Sequence, residues 1–402
     1  MTATTPILPQ SIGALFPPAR REALVRLRRA LHQCPELSFH EEQTAARLEA
    51  ALAELQPAEL VRAAGTGVVA RIAGRNRSGP VVALRGDIDA LPIQEETGLP
   101  YASTIPNVMH ACGHDVHASW AVGAANLLAE QPAAGDVLIV LQPAEETGRG
   151  ALAILESGAL EDAKAIFGAH VDRRFEVGQV VADAGPLAAS ADTFKIELIG
   201  SGAHAARPHE AADPIVAAGA VIGAVQTLVA RRLNPAWPGV VTIGSVHAGD
   251  APNVIPDRAT LTGTVRATEA PARALLLAEL RTLAEGIAAA HGVRAQVTLD
   301  LGTPPLVNPP GATAWARQAA TALLGEQALV PLGFLNLAGE DFSHYLEHIP
   351  GCFLRIGARE PGGHMIAAHS PRFQPAEESL FVGAAVLAEC ARVASRELHG
   401  ET

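Results

Sequence analysis

Apolar residues recur along this chain at two periods. At helical spacing they run through 20–31 and 41–55. Short apolar runs, rich in β-branched residues at 68–72 and 81–84 and continuing at 137–141 and 165–169, predict buried strands. A helix is predicted from His114 to 128. Helical and strand patterns alternate through this half, which predicts an α/β layer fold with a mostly parallel sheet. The polar residues with chemical potential follow the apolar runs: Asp87 and Asp89 after 81–84, Glu145 and Glu146 after 137–141, and His170 after Ile166-Phe167. Open α/β sheets bind ligands beyond the carboxyl ends of their strands, so this placement predicts one shared site.

From about residue 188 the pattern changes. A strand at 194–199, a helix at 214–231, strands at 240–246 and 259–265, a helix at 271–290 and a strand at 295–301 follow in turn. That is the β-α-β-β-α-β order of a ferredoxin-like unit, and it predicts an inserted domain over 188–302. Helix and strand patterns resume at 312–324, 352–356 and 376–393. If His369 in this last part joins the site, 1–187 and 303–402 form one discontinuous domain.

The 402 residues predict two or three domains. Hydrophobic residues make up 49% and aromatics only 4%, so the cores are built mainly from Ala, Val, Leu and Ile. A formal net charge of -12 argues against nucleic acid and anionic membranes as partners. The apolar run at 215–230, broken by Gln226 and Thr227, is short for a bilayer. Asp213 as N-cap and Pro214 at the first helical position suit a helix of a soluble domain. Cys34, Cys112, Cys352 and Cys390 are widely and irregularly spaced, unlike a disulfide framework. The stretch 1–10 has neither the basic region nor the apolar core of a signal peptide. Both point to a reducing, cytoplasmic setting.

The candidate chemistry centres on Met109-His110-Ala111-Cys112-Gly113-His114-Asp115. A thiol and an imidazole two residues apart are joined by Glu145-Glu146, His170 and His369, all side chains that bind borderline divalent metals such as zinc. Alone, each has a structural alternative: a buried cysteine, a capping histidine, a solvated Glu-Glu loop. Together they predict a metal site. Adjacent carboxylates can divide labour, with Glu146 binding metal while Glu145 takes a proton from water and returns it to a leaving nitrogen. Asp87 and Asp89 either orient these ligands from behind or serve as turn and cap residues. Asp115 and His117 read as helix-start residues. No Gly-x-Ser-x-Gly elbow and no phosphate-binding Gly-x-x-x-x-Gly-Lys loop occurs.

At this point the chain resembles a known family. Segments 109–117, Gln142-Pro143-Ala144-Glu145-Glu146, Gly168-Ala169-His170-Val171, Gly202-Ala203-His204 through Pro208-His209, Asn253-Val254-Ile255-Pro256-Asp257, Gly339-Glu340-Asp341-Phe342 and His369-Ser370-Pro371 are similar, in order, to the aminoacylase, hippurate hydrolase and indole-acetyl-amino-acid hydrolase family of binuclear metallo-amidohydrolases. Leu31-His32-Gln33-Cys34-Pro35-Glu36-Leu37 resembles its usual opening. The resemblance implies a zinc-peptidase-like catalytic domain with a mixed, mostly parallel central sheet, and an inserted lid and dimerisation domain. It implies two divalent metal ions per chain held by Cys112, His114, Glu146, His170 and His369, with Cys112 bridging and Glu145 as the base. His204 falls on a histidine that reaches the partner subunit's site and steadies the oxyanion. Asn253 and Arg266 fall on positions that hold the substrate's carboxylate or polarised carbonyl, which the arginine fork suits.

Two departures stand out. Ala203 replaces a common Gly. After His170-Val171, where the family often has an apolar or aromatic residue and then Pro, this chain has Asp172-Arg173-Arg174. A charged loop there, bordering the pocket, would work against a hydrophobic acyl preference.

The expectation is hydrolysis of N-acyl-L-amino acids to a carboxylic acid and a free amino acid by a homodimer or homotetramer. Zinc is the first choice of metal, with manganese, cobalt or nickel as alternatives on softness grounds. A dipeptidase or carboxypeptidase on the same site is the rival within the enzyme class. A non-catalytic protein binding amino-acid conjugates is the rival outside it, and the retained Glu145 argues against that.

Overall fold

A computed structural model describes residues 8–400. Most of the stretch 1–10, read above as lacking a leader, lies outside the described residues. The chain divides into two compact units. One runs to Gly185 and takes in Asn308–Phe334 and the chain from His344 onward; the other comprises Pro186–Val307 and Leu335–Ser343.

The first unit is built on a seven-stranded sheet. Its order is Glu59–Ala63, Gly67–Ile72, Val137–Gln142, Val81–Asp87, Ala163–Glu176, Gly351–Arg359 and Val180–Val181. The four central strands run parallel, while the margins pair antiparallel. Parallel strands covered on both faces must be apolar nearly throughout, and all residues of Val137–Gln142 and Val81–Asp87 are buried. Helices His114–Glu130 and Ser379–His399 pack together in the same core, with Trp120, Leu127, Leu380 and Val386 buried.

Two elements differ from expectation. The strand containing the 165–169 run extends over Ala163–Glu176, so His170 lies inside a strand and not after it. The reason is pairing: His170 opposes Arg355, Val171 opposes Ile356 and Asp172 opposes Gly357, so the ladder continues past the apolar run. The last helix starts at Ser379 and not at 376, because the Ala376 N–H donates to the Ala358 carbonyl at 2.8 Å.

The second unit holds a four-stranded antiparallel sheet in the order Gly239–Ala248, Arg258–Ala267, Asp192–Ile199, Arg294–Asp300. Helices Pro214–Thr227 and Ala270–Ala290 cover it, burying Ala217, Val221, Leu276 and Leu280 against Phe194, Ile196 and Leu261. The Asp213 side chain accepts from the Ile215 and Val216 N–H groups, capping the first helix, which passes into a π-helical turn at Leu228–Arg232. By length and composition Pro214–Arg232 could cross a membrane; here it is one of the two helices of this layer. Leu335–Ser343, expected with 303–402, groups with this unit because the Ala189 N–H bonds the Ala338 carbonyl at 3.1 Å and Gly339 fits against Ala191 and Thr303.

One close approach sets the geometry of the first unit's site. A Cβ on Gly86, in strand Val81–Asp87, would lie 2.5 Å from the His117 carbonyl oxygen. Only glycine lets the first turn of helix His114–Glu130 rest on the strand end that leads to Asp87 and Asp89. Gly86→Ala must push backbone from backbone, so overpacking of about 1–3 kcal/mol is expected. The melting temperature should fall in a thermal scan; an unchanged value would show that the helix can retreat freely.

Candidate metal centre

Cys112, Gly113 and His114 form the entry to helix His114–Glu130, where Gly113 takes φ +91° at the N-cap. The bend turns the Cys112 thiol toward the sheet, where its Sγ lies 3.2 Å from His170 Nε2. The Val171 carbonyl can only accept, so His170 Nδ1, 2.7 Å away, carries the ring proton. That leaves the His170 Nε2 lone pair facing the thiol. His114 is set the same way. Its Nδ1 donates to the Asp89 carbonyl at 2.9 Å and faces Asp89 Oδ1 at 3.1 Å. His114 Nε2 is buried without a hydrogen-bond partner.

The strand Val137–Gln142 delivers the carboxylate pair. Ala144 takes a left-handed φ of +55°, and Glu145–Thr147 follow as one 3-10 turn. Glu146 Oε1, also buried without a hydrogen-bond partner, lies 3.8 Å from His114 Nε2 and 3.6 Å from His369 Nε2. Glu145 Oε2 lies 3.9 Å from His114 Nε2. His369 takes φ +66°, and its N–H donates to the Ala111 carbonyl at 2.8 Å, tying its loop to the Cys112 segment. Cys112, His114, Glu145, Glu146, His170 and His369 therefore converge, from four separate parts of the chain.

Asp89 and Asp87 act behind them. Asp89 Oδ2 accepts from the Ser38 hydroxyl at 2.7 Å and from the Glu146 N–H at 3.0 Å, while its other oxygens hold His114. Asp87 Oδ1 receives His117 Nδ1–H at 2.6 Å and its Oδ2 receives Arg85 at 2.6 Å. His117 Nε2 in turn accepts the Val171 N–H at 3.0 Å, so His117 is a buried brace between the two aspartate-bearing and His170-bearing strands, not merely a helix-start residue. Asp115 also proves deeper than a cap: its Oδ2 meets Arg28 Nε and His32 Nδ1, both at 2.8 Å, and all three side chains are buried. Arg28 and His32 belong to the helix Pro18–Gln33. Glu41, buried, accepts from the Ala144 N–H at 2.9 Å and from the Thr66 hydroxyl at 2.5 Å, fixing the left-handed residue that launches the carboxylate pair. Sequence reading did not single out Arg28, Glu41 or Arg85 for the site. His32 was visible within the opening motif, but a lone Glu beside a helix start has no signal distinguishing it from a cap.

The electrostatics report a site short of positive charge. Burial pushes the Cys112 thiol well above its ordinary range, with Glu146 adding to the rise. Burial, with Asp89 and Asp87 nearby, raises the Glu146 carboxyl to about 7 against the pull of His114. Burial opposes a charged His114 ring, yet Asp87, Cys112 and the bond to Asp89 together lift it well above the usual histidine range. Burial, reinforced by His117 and Arg355, keeps His170 neutral.

Among the described residues, the donor atoms of Cys112, His114 and His170 lie within 4.8 Å of one another, and so do those of Cys112, Glu146 and His369. Cys112 is common to both groups. Two orphaned buried atoms, His114 Nε2 and Glu146 Oε1, point into this space. A thiolate, imidazoles and a carboxylate at that spacing fit borderline divalent metals.

The other expected residues lie in the second unit. His204 pairs with Val254 in the short ribbon Ala203–His204 and Val254–Ile255, and the Ala205 N–H bonds the Asn253 carbonyl at 3.0 Å, so His204 and Asn253 are neighbours. Both are exposed; Arg266, on strand Arg258–Ala267, is partly buried. The Asp172-Arg173-Arg174 departure is not a loop. It lies in strand Ala163–Glu176, where Asp172 forms a two-pronged pair with Arg174 and both Asp172 and Arg173 are buried.

The model of Peptidase family M20/M25/M40 matches residues 83–393. The N-acetyl-L-cysteine deacetylase of Bacillus subtilis (strain 168) is 42% identical over 372 residues, spanning 92% of this chain and 87% of that protein. The IAA-amino acid hydrolase ILR1-like 4 of Arabidopsis thaliana is 38% identical over 389 residues, spanning 94% and 87%. A solved Bacillus subtilis structure, described as a dinuclear metal binding peptidase from the M20 family, superposes with a TM-score of 0.84 at 38% identity, covering 94% of this chain and 99% of that one.

Metal and protons compete for these ligands. In the metal-free protein at neutral pH the Glu146 carboxyl, at about 7, is about half protonated, while the raised Cys112 thiol and His114 imidazolium keep their protons. Metal uptake must therefore release protons, and affinity must rise with pH, by about tenfold per unit for each proton released. Calorimetric titration with zinc in buffers of different ionisation enthalpy should give buffer-dependent heats and weaker binding on the acid side. Heats independent of buffer would show the ligands already deprotonated.

Proposed function

The chain belongs to the M20/M25/M40 peptidase family, and on that footing we propose that it is a metal-dependent amidohydrolase that cleaves N-acyl-L-amino acids to a carboxylic acid and a free amino acid. The observation that carries this reading is the placement of Glu145 beside two ligand groups that share Cys112. Relatives named for N-acetylcysteine deacetylation and IAA-amino acid hydrolysis support the substrate class.

Cys112, His114 and His170 would hold one divalent ion; Cys112, Glu146 and His369 would hold the second. Zinc is the first choice, with manganese, cobalt or nickel as alternatives. When bound, divalent ions polarise a carbonyl and make water more acidic. Glu145 receives the proton of the attacking water and delivers it to the departing nitrogen, as a general base and then a general acid. Asp89 keeps the His114 ring in the tautomer that offers Nε2, and Glu41 keeps the turn that aims Glu145. Arg266 and Asn253 hold the substrate's carboxylate or carbonyl, and the partner subunit's His204 steadies the oxyanion. Four unpaired cysteines among the described residues support a reducing, cytoplasmic setting.

A homodimer is part of this reading. Helix Pro214–Thr227 presents Ile215, Val216 and Ile222 to solvent, each at least 37% exposed, beside Gly219 and Gly223, which have open space around them. The adjacent strand Gly239–Ala248 is a sheet edge. An apolar helix face next to an unpaired edge suits a second copy of the chain.

Two outcomes are expected. Glu145→Gln keeps both metals while lowering kcat by about 10²–10⁴-fold on N-acetyl-amino acids, as loss of a general base requires; near-normal turnover would remove Glu145 from the mechanism. A parallel panel of dipeptides separates the peptidase alternative. The double variant Val216→Glu, Ile222→Glu elutes as a monomer by light scattering and loses activity with its metals intact. A dimer that survives this change would relocate the interface.

A further inference from the structure

We infer that Arg173 is a positioning residue for His369, a buried guanidinium that straps down the loop carrying this ligand. The inference rests on the reading of His369 as a metal ligand. Arg173 stands where this chain departs from its family's pattern, three residues after His170 in strand Ala163–Glu176. It is only 6% exposed. Its Nη1 donates to the Gln374 carbonyl and reaches the Ala358 carbonyl at 3.4 Å. Its Nη2 donates to the His364 carbonyl at 2.9 Å and to Glu360 Oε2 at 3.1 Å. These acceptors lie at both ends and in the middle of 358–374, and His369 is inside that span.

The span needs such a fixture. Beyond Arg359 it contains neither helix nor strand until Ser379. His369 holds a left-handed backbone, unfavourable for a residue with a Cβ, and its side chain is 55% exposed. Packing around the ring therefore does little to place it, and its position follows from where the backbone is pinned. The pins are the Ala111 carbonyl at His369 itself, the Glu96 N–H on the Pro371 carbonyl at 2.8 Å, and Arg173, which grips the chain on both sides at His364 and Gln374. A planar guanidinium can serve several carbonyls at fixed angles; an ammonium on a flexible stem cannot. His114 and His170, by contrast, are braced by Asp89 and the Val171 carbonyl and make no use of Arg173. Loss of the strap should therefore weaken the Cys112–Glu146–His369 group and spare the Cys112–His114–His170 group.

The test is metal binding by the full-length protein, stripped with chelator and titrated with cobalt(II), followed by calorimetry and by the visible spectrum. Wild type, His369→Ala, Arg173→Ala, Arg173→Lys and Glu360→Ala are compared. Wild type should take two ions and His369→Ala should lose the weaker one. Arg173→Ala should weaken that same ion by about 10–100-fold, the usual effect of removing a ligand's outer partner, with the other unchanged. Arg173→Lys should not restore it, whereas added guanidinium should restore Arg173→Ala in part. Glu360→Ala removes only the half-exposed arm of the strap; it should give a smaller loss at the same ion, and it carries the test if Arg173→Ala does not fold. Unchanged affinities in both the Arg173 and Glu360 variants overturn the inference, as does equal weakening of both ions, which a general structural role would produce. If His369→Ala still takes two ions at wild-type affinity, the ligand reading itself is wrong and the inference falls with it.

Discussion

The site depends first on what Asp89 does with its oxygens. Its backbone carbonyl and Oδ1 hold His114 Nδ1, and its Oδ2 holds the Glu146 N–H and the Ser38 hydroxyl. One residue thus decides which nitrogen of His114 is turned toward the site and where the carboxylate turn begins. A histidine that could flip, or that carried its proton on Nε2, would offer no lone pair to a cation. The arrangement is possible only because Gly86 lets helix His114–Glu130 settle on the strand end. The chain of cause runs from a missing Cβ, to a helix in contact with a strand, to a fixed tautomer.

Burial then gives the cluster its appetite for a cation. Cys112, His114 and His170 are almost without solvent, and burying their charged forms alone is costly. The cluster answers by holding protons on Cys112, His114 and, in part, Glu146. A divalent ion replaces those protons with a charge that all the ligands share, so the same burial that raises the two acids favours the metal once it arrives. Glu145 shares the turn with Glu146 but belongs to neither Cys112-sharing group, which is what a carboxylate needs in order to exchange protons with water.

Much of this was legible in the sequence, for identifiable reasons. The apolar runs marked the central strands because a parallel sheet covered on both faces tolerates few polar residues, and the β-α-β-β-α-β order survived as a period change. The ligand-type side chains were legible because Cys112, His114, Glu145, Glu146, His170 and His369 are chemically distinctive residue types gathered in a few short motifs. The strand through His170 was not, since Asp172 and Arg173 look like a loop until the pairing of Asp172 with Gly357 and of Glu176 with Arg359 is seen. Asp115 and His117 read as helix-start residues because a helix start explains such residues locally, while their partners Arg28, His32 and Asp87 are distant along the chain. Glu41 was invisible for the same reason: its role is a single hydrogen bond to Ala144, about a hundred residues on.

The two groups of candidate ligands are also held by different physics. His114 and His170 sit on a helix start and a central strand, elements whose positions are over-determined by the core. Glu146 and His369 sit on turns, each entered through a left-handed non-glycine residue, Ala144 in one case and His369 itself in the other. Such backbone costs about 1–3 kcal/mol per residue and persists only where neighbours impose it. Glu41 imposes the first, through the Ala144 N–H, and the Ala111 carbonyl holds the second. The half of the centre with the weaker scaffold is therefore the half with the dedicated fixtures. It is also the more exposed half, since His369 is open to solvent where His114 and His170 are not. A side chain as exposed as that of His369 cannot be fixed by burial, so the hydrogen bonds to its backbone have to place it.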